Sequence, residues 1–189
     1  MDRLRGMKSG ADNMVVNTVK LFGHCYAATE LPQIIEYDPV TLETLGKVDV
    51  KDKIPGLATM TPHPLYDEDG TLWNIGFATG PDRHGEVSSV WRYVVFKVTP
   101  PKNEEERKNP WLNLEVVNEL SSSKVLSISY LHSFFMTQNY LIFTEQPWIF
   151  GHLPSVIYGH LWLGKTLGET MFWDDDTTLK FHIVDKKYI

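Results

Sequence analysis

The chain has 189 residues, 42% hydrophobic and 12% aromatic, with a formal net charge of −6. That length makes one domain or part of a larger one, and the acidic balance excludes the basic footprint of a nucleic-acid binder. Cys25 is the single cysteine, which excludes a disulfide framework and a zinc site built on several thiolates, and makes a reducing, cytoplasmic setting the default.

Residues 1–13 are polar and read as a flexible N-terminal tail with no apolar signal-peptide stretch; residues 14–189 read as the folded part. From Val15 the pattern is β-like. Residues 15–22, 25–30, 34–37 and 41–50 are short runs of β-branched and aromatic residues, with Asp38-Pro39 as a turn before the fourth. Residues 57–60 and 72–77 flank a connection that ends in Asp69-Gly70, a strong hairpin signal. Residues 88–98 form a long strand that Pro100 and Pro101 stop. Residues 102–109 are a charge run and are predicted to be a solvated loop. Residues 112–120, 125–131, 140–144 and 179–184 complete the strands. Only residues 154–167 carry a trace of helical period. The longest apolar run, 148–163, is interrupted by His152, Pro154, Gly159 and His160 and falls short of the roughly 20 residues of a membrane span. Many short strands with turns between them predict an all-β sandwich, barrel or propeller, and a near-repeat of four strands per unit favours the propeller.

The chemistry rests on histidines and acids. None of the seven histidines forms a His-Glu-x-x-His pair, so a metal site has to be assembled from distant segments. His63 stands between Pro62 and Pro64, which fix its backbone and leave the imidazole little entropy to lose. His132 lies between two β-like runs, in a stretch that continues to Glu145-Gln146-Pro147. Each is a hydrogen-bonded turn or rim residue or a ligand; neither position alone separates the two readings. Glu30 and Glu145 each end an apolar run, as solvent-facing termini or as acceptors for the free N–H of a metal-bound imidazole. There is no Gly-x-Ser-x-Gly elbow and no glycine-rich phosphate loop, and Cys25 sits in an apolar strand as an inert thiol.

Several stretches together resemble the carotenoid cleavage oxygenases, the family of the β-carotene dioxygenases and the retinal pigment epithelium isomerohydrolase. They are Tyr26-Ala27-Ala28-Thr29-Glu30 with Asp38-Pro39-Val40-Thr41-Leu42-Glu43-Thr44, then Thr61-Pro62-His63-Pro64 with Asp69-Gly70-Thr71-Leu72-Trp73-Asn74-Ile75-Gly76, and Tyr130-Leu131-His132-Ser133-Phe134 through Glu145-Gln146-Pro147. Phe181-His182-Ile183-Val184-Asp185-Lys186-Lys187 also fits. The resemblance implies about three blades of a seven-bladed β-propeller, with a non-haem Fe(II) on the axis held by four histidines and backed by glutamates. It implies His63 and His132 as two of the ligands, Glu30 as the glutamate that orients a ligand histidine, and Thr29 near the open coordination position. It implies O2 and a lipophilic polyene as substrates, cleaved to aldehydes. Members of the family are longer, and the other two ligand histidines and remaining glutamates are expected beyond Ile189. His182, His152 and His160 match no ligand. Phe135 stands where the family has a glycine, which questions the backbone after His132. The 148–163 run matches a segment near the substrate-tunnel mouth, with Trp148, Ile149, Phe150 and Trp162 as anchors for a peripheral membrane contact or, equally, as a buried connection. The competing function is a non-catalytic propeller unit that binds a hydrophobic ligand or a partner protein.

Overall fold

The structure is a computed structural model that describes residues 14, 16–81, 85, 87–122, 128–151 and 168–189. Asn17–Leu21 (β1), His24–Ala28 (β2), Gln33–Tyr37 (β3) and Thr44–Asp49 (β4) pair antiparallel in chain order as one four-stranded sheet. Leu57–Met60 (β5), Leu65–Tyr66 (β6), Leu72–Pro81 (β7), Val87–Val98 (β8) and Leu114–Ser121 (β9) form the second, in the order β5-β7-β8-β9 with β6 paired to β7. Ile128–Ser129 (β10), Phe135–Met136 (β11), Tyr140–Glu145 (β12), Trp148–Phe150 (β13), Met171–Trp173 (β14) and Lys180–Asp185 (β15) make two three-stranded sheets, β10-β13-β14 and β11-β12-β15. The all-β expectation holds. In the first two sheets most strands pair with a neighbour in sequence, as a meander does, whereas in the last two β10 pairs with β13 and β12 with β15. The predicted hairpin is β6–β7, closed by Gly70 N–H donating to Asp67 O at 2.9 Å.

The second sheet is buried on both faces, which explains why residues 93–98 read as a nearly unbroken apolar run. Side chains alternate across a strand. Val94, Phe96 and Val98 of β8 therefore join Leu72 of β7 in a core against the first sheet, with Val19, Leu21, Tyr26 and Ile34. Tyr93 and Val95 join Trp73, Ile75 and Phe77 in a second core, with Leu141, Phe143 and Val184 of the β11-β12-β15 sheet. Buried side chains of this size contribute about 1.5–3 kcal/mol each, so these two layers dominate the fold.

Three local expectations change. Residues 102–109 are not a loop throughout: Glu104–Lys108 is a short α-helix (α1). Asn103 caps it by accepting from Glu106 N–H at 2.9 Å, and the Glu106 carboxylate returns to Lys102 N–H at 2.6 Å. This reciprocal cap is a variant of the capping box in which Glu106 reaches the backbone N–H one residue before the cap, and its Asn103-x-x-Glu106 spacing is available in the sequence. The helix docks on the first sheet through His24, whose Nε2 lies 2.8 Å from Arg107 O and whose Nδ1 lies 2.6 Å from Glu36 Oε1. Burial opposes the imidazolium, but the Glu36 carboxylate and the Arg107 carbonyl outweigh it and raise the pKa above the usual histidine value. Second, the 112–120 strand begins at Leu114, because Pro110–Asn113 is a 3-10 turn with Pro110 at its start. Third, the 125–131 strand contributes only Ile128–Ser129 among the described residues. Phe135 lies in β11 and is not among the residues with positive φ, so the turn needs no glycine there. Its side chain is 66% exposed. The predicted tail at 1–13 and the helical trace at 154–167 lie outside the described residues.

Candidate metal centre

His63 and His132 meet. Their Nε2 atoms are 2.9 Å apart and their rings cross at 63° with centroids 4.7 Å apart. Sixty-nine residues separate them, and the segments that carry them are both non-strand connections. His63 follows β5. Thr61 anchors that turn by donating from Oγ1 to Asn74 Oδ1 at 2.7 Å and accepting at its carbonyl from Asn74 Nδ2 at 2.9 Å. Both residues are buried. Asn17 Nδ2 donates to Pro62 O at 2.8 Å, so both prolines frame an already pinned loop.

His132 lies in the connection between β10 and β11, outside either strand. Hydrogen bonds replace the ladder. Tyr130 N–H donates to Trp148 O at 2.8 Å, and Gln146 Nε2 donates to Tyr130 O at 2.7 Å. Gln146 is fixed in turn by Ser129, whose Oγ accepts from Gln146 N–H at 2.7 Å. The family-like Glu-Gln-Pro run therefore serves the histidine through its glutamine.

Glu30 stands behind His132. Its Oε1 is 2.9 Å from His132 Nδ1 and accepts from the Tyr130 hydroxyl at 3.0 Å; its Oε2 accepts from Thr29 Oγ1 at 2.9 Å. Met60 N–H donates to Glu30 O at 2.9 Å, which ties the glutamate to the strand leading into His63. Burial pushes the Glu30 pKa up, but hydrogen bonds from its own backbone N–H, Thr29, Tyr130 and His132 outweigh it and hold the carboxyl below its usual value. The Tyr130 phenol is pushed up to about 12 by burial and by its bond to that carboxylate. Glu30 is thus an acceptor and Tyr130 a donor at neutral pH.

When His132 carries its proton on Nδ1, toward Glu30, its Nε2 is a bare lone pair facing His63 Nε2. Two imidazole nitrogens each about 2.1 Å from one ion at a right angle stand about 3.0 Å apart, so the observed 2.9 Å separation fits one divalent metal between them. Imidazole donors suit iron. Among the described residues no group of three or more histidines, cysteines and acids converges on one point.

An apolar cavity of about 430 Å³ opens on the Glu30 and Tyr130 side of His132, walled by Phe77, Leu131, Trp148, Phe150 and Met171; neither histidine lines it. That volume is in the range of small-molecule sites. Trp148 is 37% exposed and Phe150 half-buried, but Ile149 is 3% exposed and packs inward between β10 and β14, so it is no surface anchor. Trp162, His152 and His160 lie outside the described residues.

Glu145 is the other departure. It is 0% exposed rather than a solvent-facing strand end. Its Oε1 accepts from Ser122 Oγ at 2.7 Å and its Oε2 lies 3.3 Å from His182 Nε2. His182 stacks on Phe143 with centroids 4.8 Å apart, and it is structural as expected. Tyr130 and Gln146 were visible in the motif without a role. The spacing of Tyr130 two residues before His132 is the signal, because side chains two apart in an extended segment share a side.

Comparison with known proteins identifies the family. The profile of the family described as retinal pigment epithelial membrane protein matches residues 4–188. Human β,β-carotene 15,15'-dioxygenase is 40% identical over 180 residues, covering 94% of this chain and 30% of that protein. Human mitochondrial carotenoid-cleaving dioxygenase is 34% identical over 176 residues, covering 93% and 28%. The chain therefore spans about 30% of the length of these relatives. A lignostilbene dioxygenase structure from Pseudomonas brassicacearum superposes with a TM-score of 0.60 at 20% identity, covering 94% of this chain and 32% of that one. The cobalt-substituted apocarotenoid oxygenase of Synechocystis superposes equally well, with a TM-score of 0.60 at 18% identity, covering 90% and 32%. The chain belongs to the carotenoid cleavage oxygenase family, and its fold is part of that family's β-propeller.

Proposed function

We propose that the chain supplies two of the four histidine ligands, His63 and His132, of a non-haem Fe(II) centre in a carotenoid oxygenase. Such an enzyme uses O2 to cleave a polyene double bond into aldehydes. The observation that carries the reading is the pair of Nε2 atoms 2.9 Å apart, with Glu30 behind one of them. The printed names of the relatives, dioxygenases acting on β,β-carotene and other carotenoids, support the substrate class.

Fe(II) supplies oxygen activation at open coordination positions. The chain's own residues supply the rest. Glu30 accepts the Nδ1 proton of His132 and keeps its Nε2 free. Thr29, expected near the open position, has its hydroxyl engaged with Glu30 Oε2 and so steadies that carboxylate. Phe77, Leu131, Trp148 and Phe150 wall an apolar cavity on the Glu30 side of the site that suits an apolar ligand.

Two imidazoles make a weak Fe(II) site, because iron(II) ranks low among the divalent metals for such donors. The purified 189-residue chain is expected to bind Fe(II) weakly and exchangeably and to form no apocarotenal from a carotenoid and O2. Tight stoichiometric iron, or an apocarotenal product, overturns the half-site reading. The cavity favours one alternative, a non-catalytic unit that binds a hydrophobic ligand, and ligand binding indifferent to Fe(II) is its mark. Location in the cytoplasm against a membrane surface is part of the proposal, with Trp148 and Phe150 as the described contacts. Liposome flotation is expected to fall when both become serine; unchanged flotation removes the membrane contact.

A further inference from the structure

Three polar atoms form a triangle behind the metal-facing edge of His132. Glu30 Oε1, the Tyr130 hydroxyl and His132 Nδ1 lie 2.9–3.0 Å from one another. Only two protons serve this triangle when His132 is neutral: one on the phenol and one on the imidazole. The ionised Glu30 has none to give. Two arrangements follow. If Tyr130 donates to His132 Nδ1, the imidazole proton moves to Nε2, which closes the metal-facing edge. Glu30 Oε1 is then left 2.9 Å from a nitrogen lone pair with no donor between them. If Tyr130 donates to Glu30 Oε1, the Nδ1 proton also points at that oxygen, both donors are satisfied and Nε2 is bare. The second arrangement leaves no partly buried acceptor unpaired, and it wins on that account.

We propose that Tyr130 is a positioning residue whose hydroxyl, donated to Glu30 Oε1, holds that oxygen against His132 Nδ1 and so keeps His132 in the tautomer that presents a bare Nε2 to His63. The inference rests on the proposed metal centre for its purpose, but the tautomer is a property of the metal-free chain. Tyr130 has one place to stand. Its backbone is bonded on both sides, to Trp148 O and from Gln146 Nε2, and its ring packs edge-on to Phe150 at 6.0 Å. Thr29 holds the opposite oxygen of the same carboxylate. Glu30 is thus gripped at both ends. Loss of the Tyr130 grip lets the carboxylate turn toward the cavity, where a water molecule can take its hydrogen bond.

The test uses the full chain with 15N-labelled histidine. In the metal-free wild type, His132 is expected as the Nδ1–H tautomer; in Y130F it is expected to shift toward Nε2–H, while the His24 and His182 signals report an intact fold. Titration with Co(II) is expected to show about tenfold weaker binding in Y130F, the lower end of the roughly 10–100-fold loss typical for partners of a ligand histidine. E30Q is expected to lose at least as much. The double variant is expected to lose no more than E30Q alone, because Tyr130 acts through Glu30. An unchanged tautomer in Y130F, or losses that add in the double variant as a merely structural tyrosine would give, overturns the proposal. Should the wild type fail to bind Co(II), the metal centre fails, and the tautomer readout still decides the role of Tyr130.

Discussion

His132→Ala is expected to weaken Co(II) or Fe(II) binding on the order of 100-fold or more, above the roughly 10–100-fold that an outer hydrogen-bond partner commands. His63→Ala is expected to match it. Each substitution leaves one imidazole where two converge at 2.9 Å, and a single neutral nitrogen holds a divalent ion poorly. Two other histidines serve as controls. His182 is committed to Glu145 and stacked on Phe143, and His24 is committed to Glu36 and the Arg107 carbonyl. His182→Ala and His24→Ala are therefore expected to leave metal affinity within twofold of wild type wherever the variant folds. Metal titration of the four variants decides the matter, and a His132→Ala chain that keeps wild-type affinity refutes the assignment.

Gly56→Ala is expected to cost about 3 kcal/mol or more and to lower the unfolding midpoint accordingly, while Gly23→Ala costs about 1 kcal/mol. Both glycines have positive φ, +78° and +99°, where an alanine is strained. They differ in surroundings. A Cβ at Gly56 falls 1.8 Å from the Thr79 carbonyl oxygen, a backbone atom that cannot swing away, whereas a Cβ at Gly23 meets nothing within 4 Å. The Gly56 turn cannot back off either. Thr79 N–H donates to Gly56 O at 3.0 Å, and the Arg92 guanidinium bonds Gly80 O at 2.7 Å and Pro55 O at 3.3 Å. Arg92 is 4% exposed and paired with Glu119, so it holds both neighbours of the contact in place. Equal unfolding costs for the two alanines would show that φ alone matters and that the contact relaxes.

Much of the fold was legible because strand signals are local. β-branched runs and turn residues placed most of β1 to β9 within a few residues. What failed depended on partners distant in sequence. Glu145 looked like an exposed strand end, since nothing in residues 140–145 says that Ser122 and His182 close over it. Ile149 sat among aromatic neighbours and read equally as a membrane anchor or part of a buried connection, and only its register opposite Ser129 and Phe172 turns it inward. The α1 helix was hidden by its charge, although its Asn103-x-x-Glu106 cap was written in the chain. At the site, composition and spacing left His63 and His132 as turn residues or ligands, and the family resemblance singled them out. Tyr130 escaped notice because its hydroxyl acts only once β2, β5 and the 130–132 segment are brought together.

The most direct test of the account is anaerobic titration of the 15N-histidine-labelled full chain with Fe(II), followed residue by residue. Paramagnetic loss of the His63 and His132 Nε2 signals at the same Fe(II) concentration, ahead of His24 and His182, is the predicted result. Loss of one without the other, or loss that begins at any other histidine, contradicts the shared metal centre.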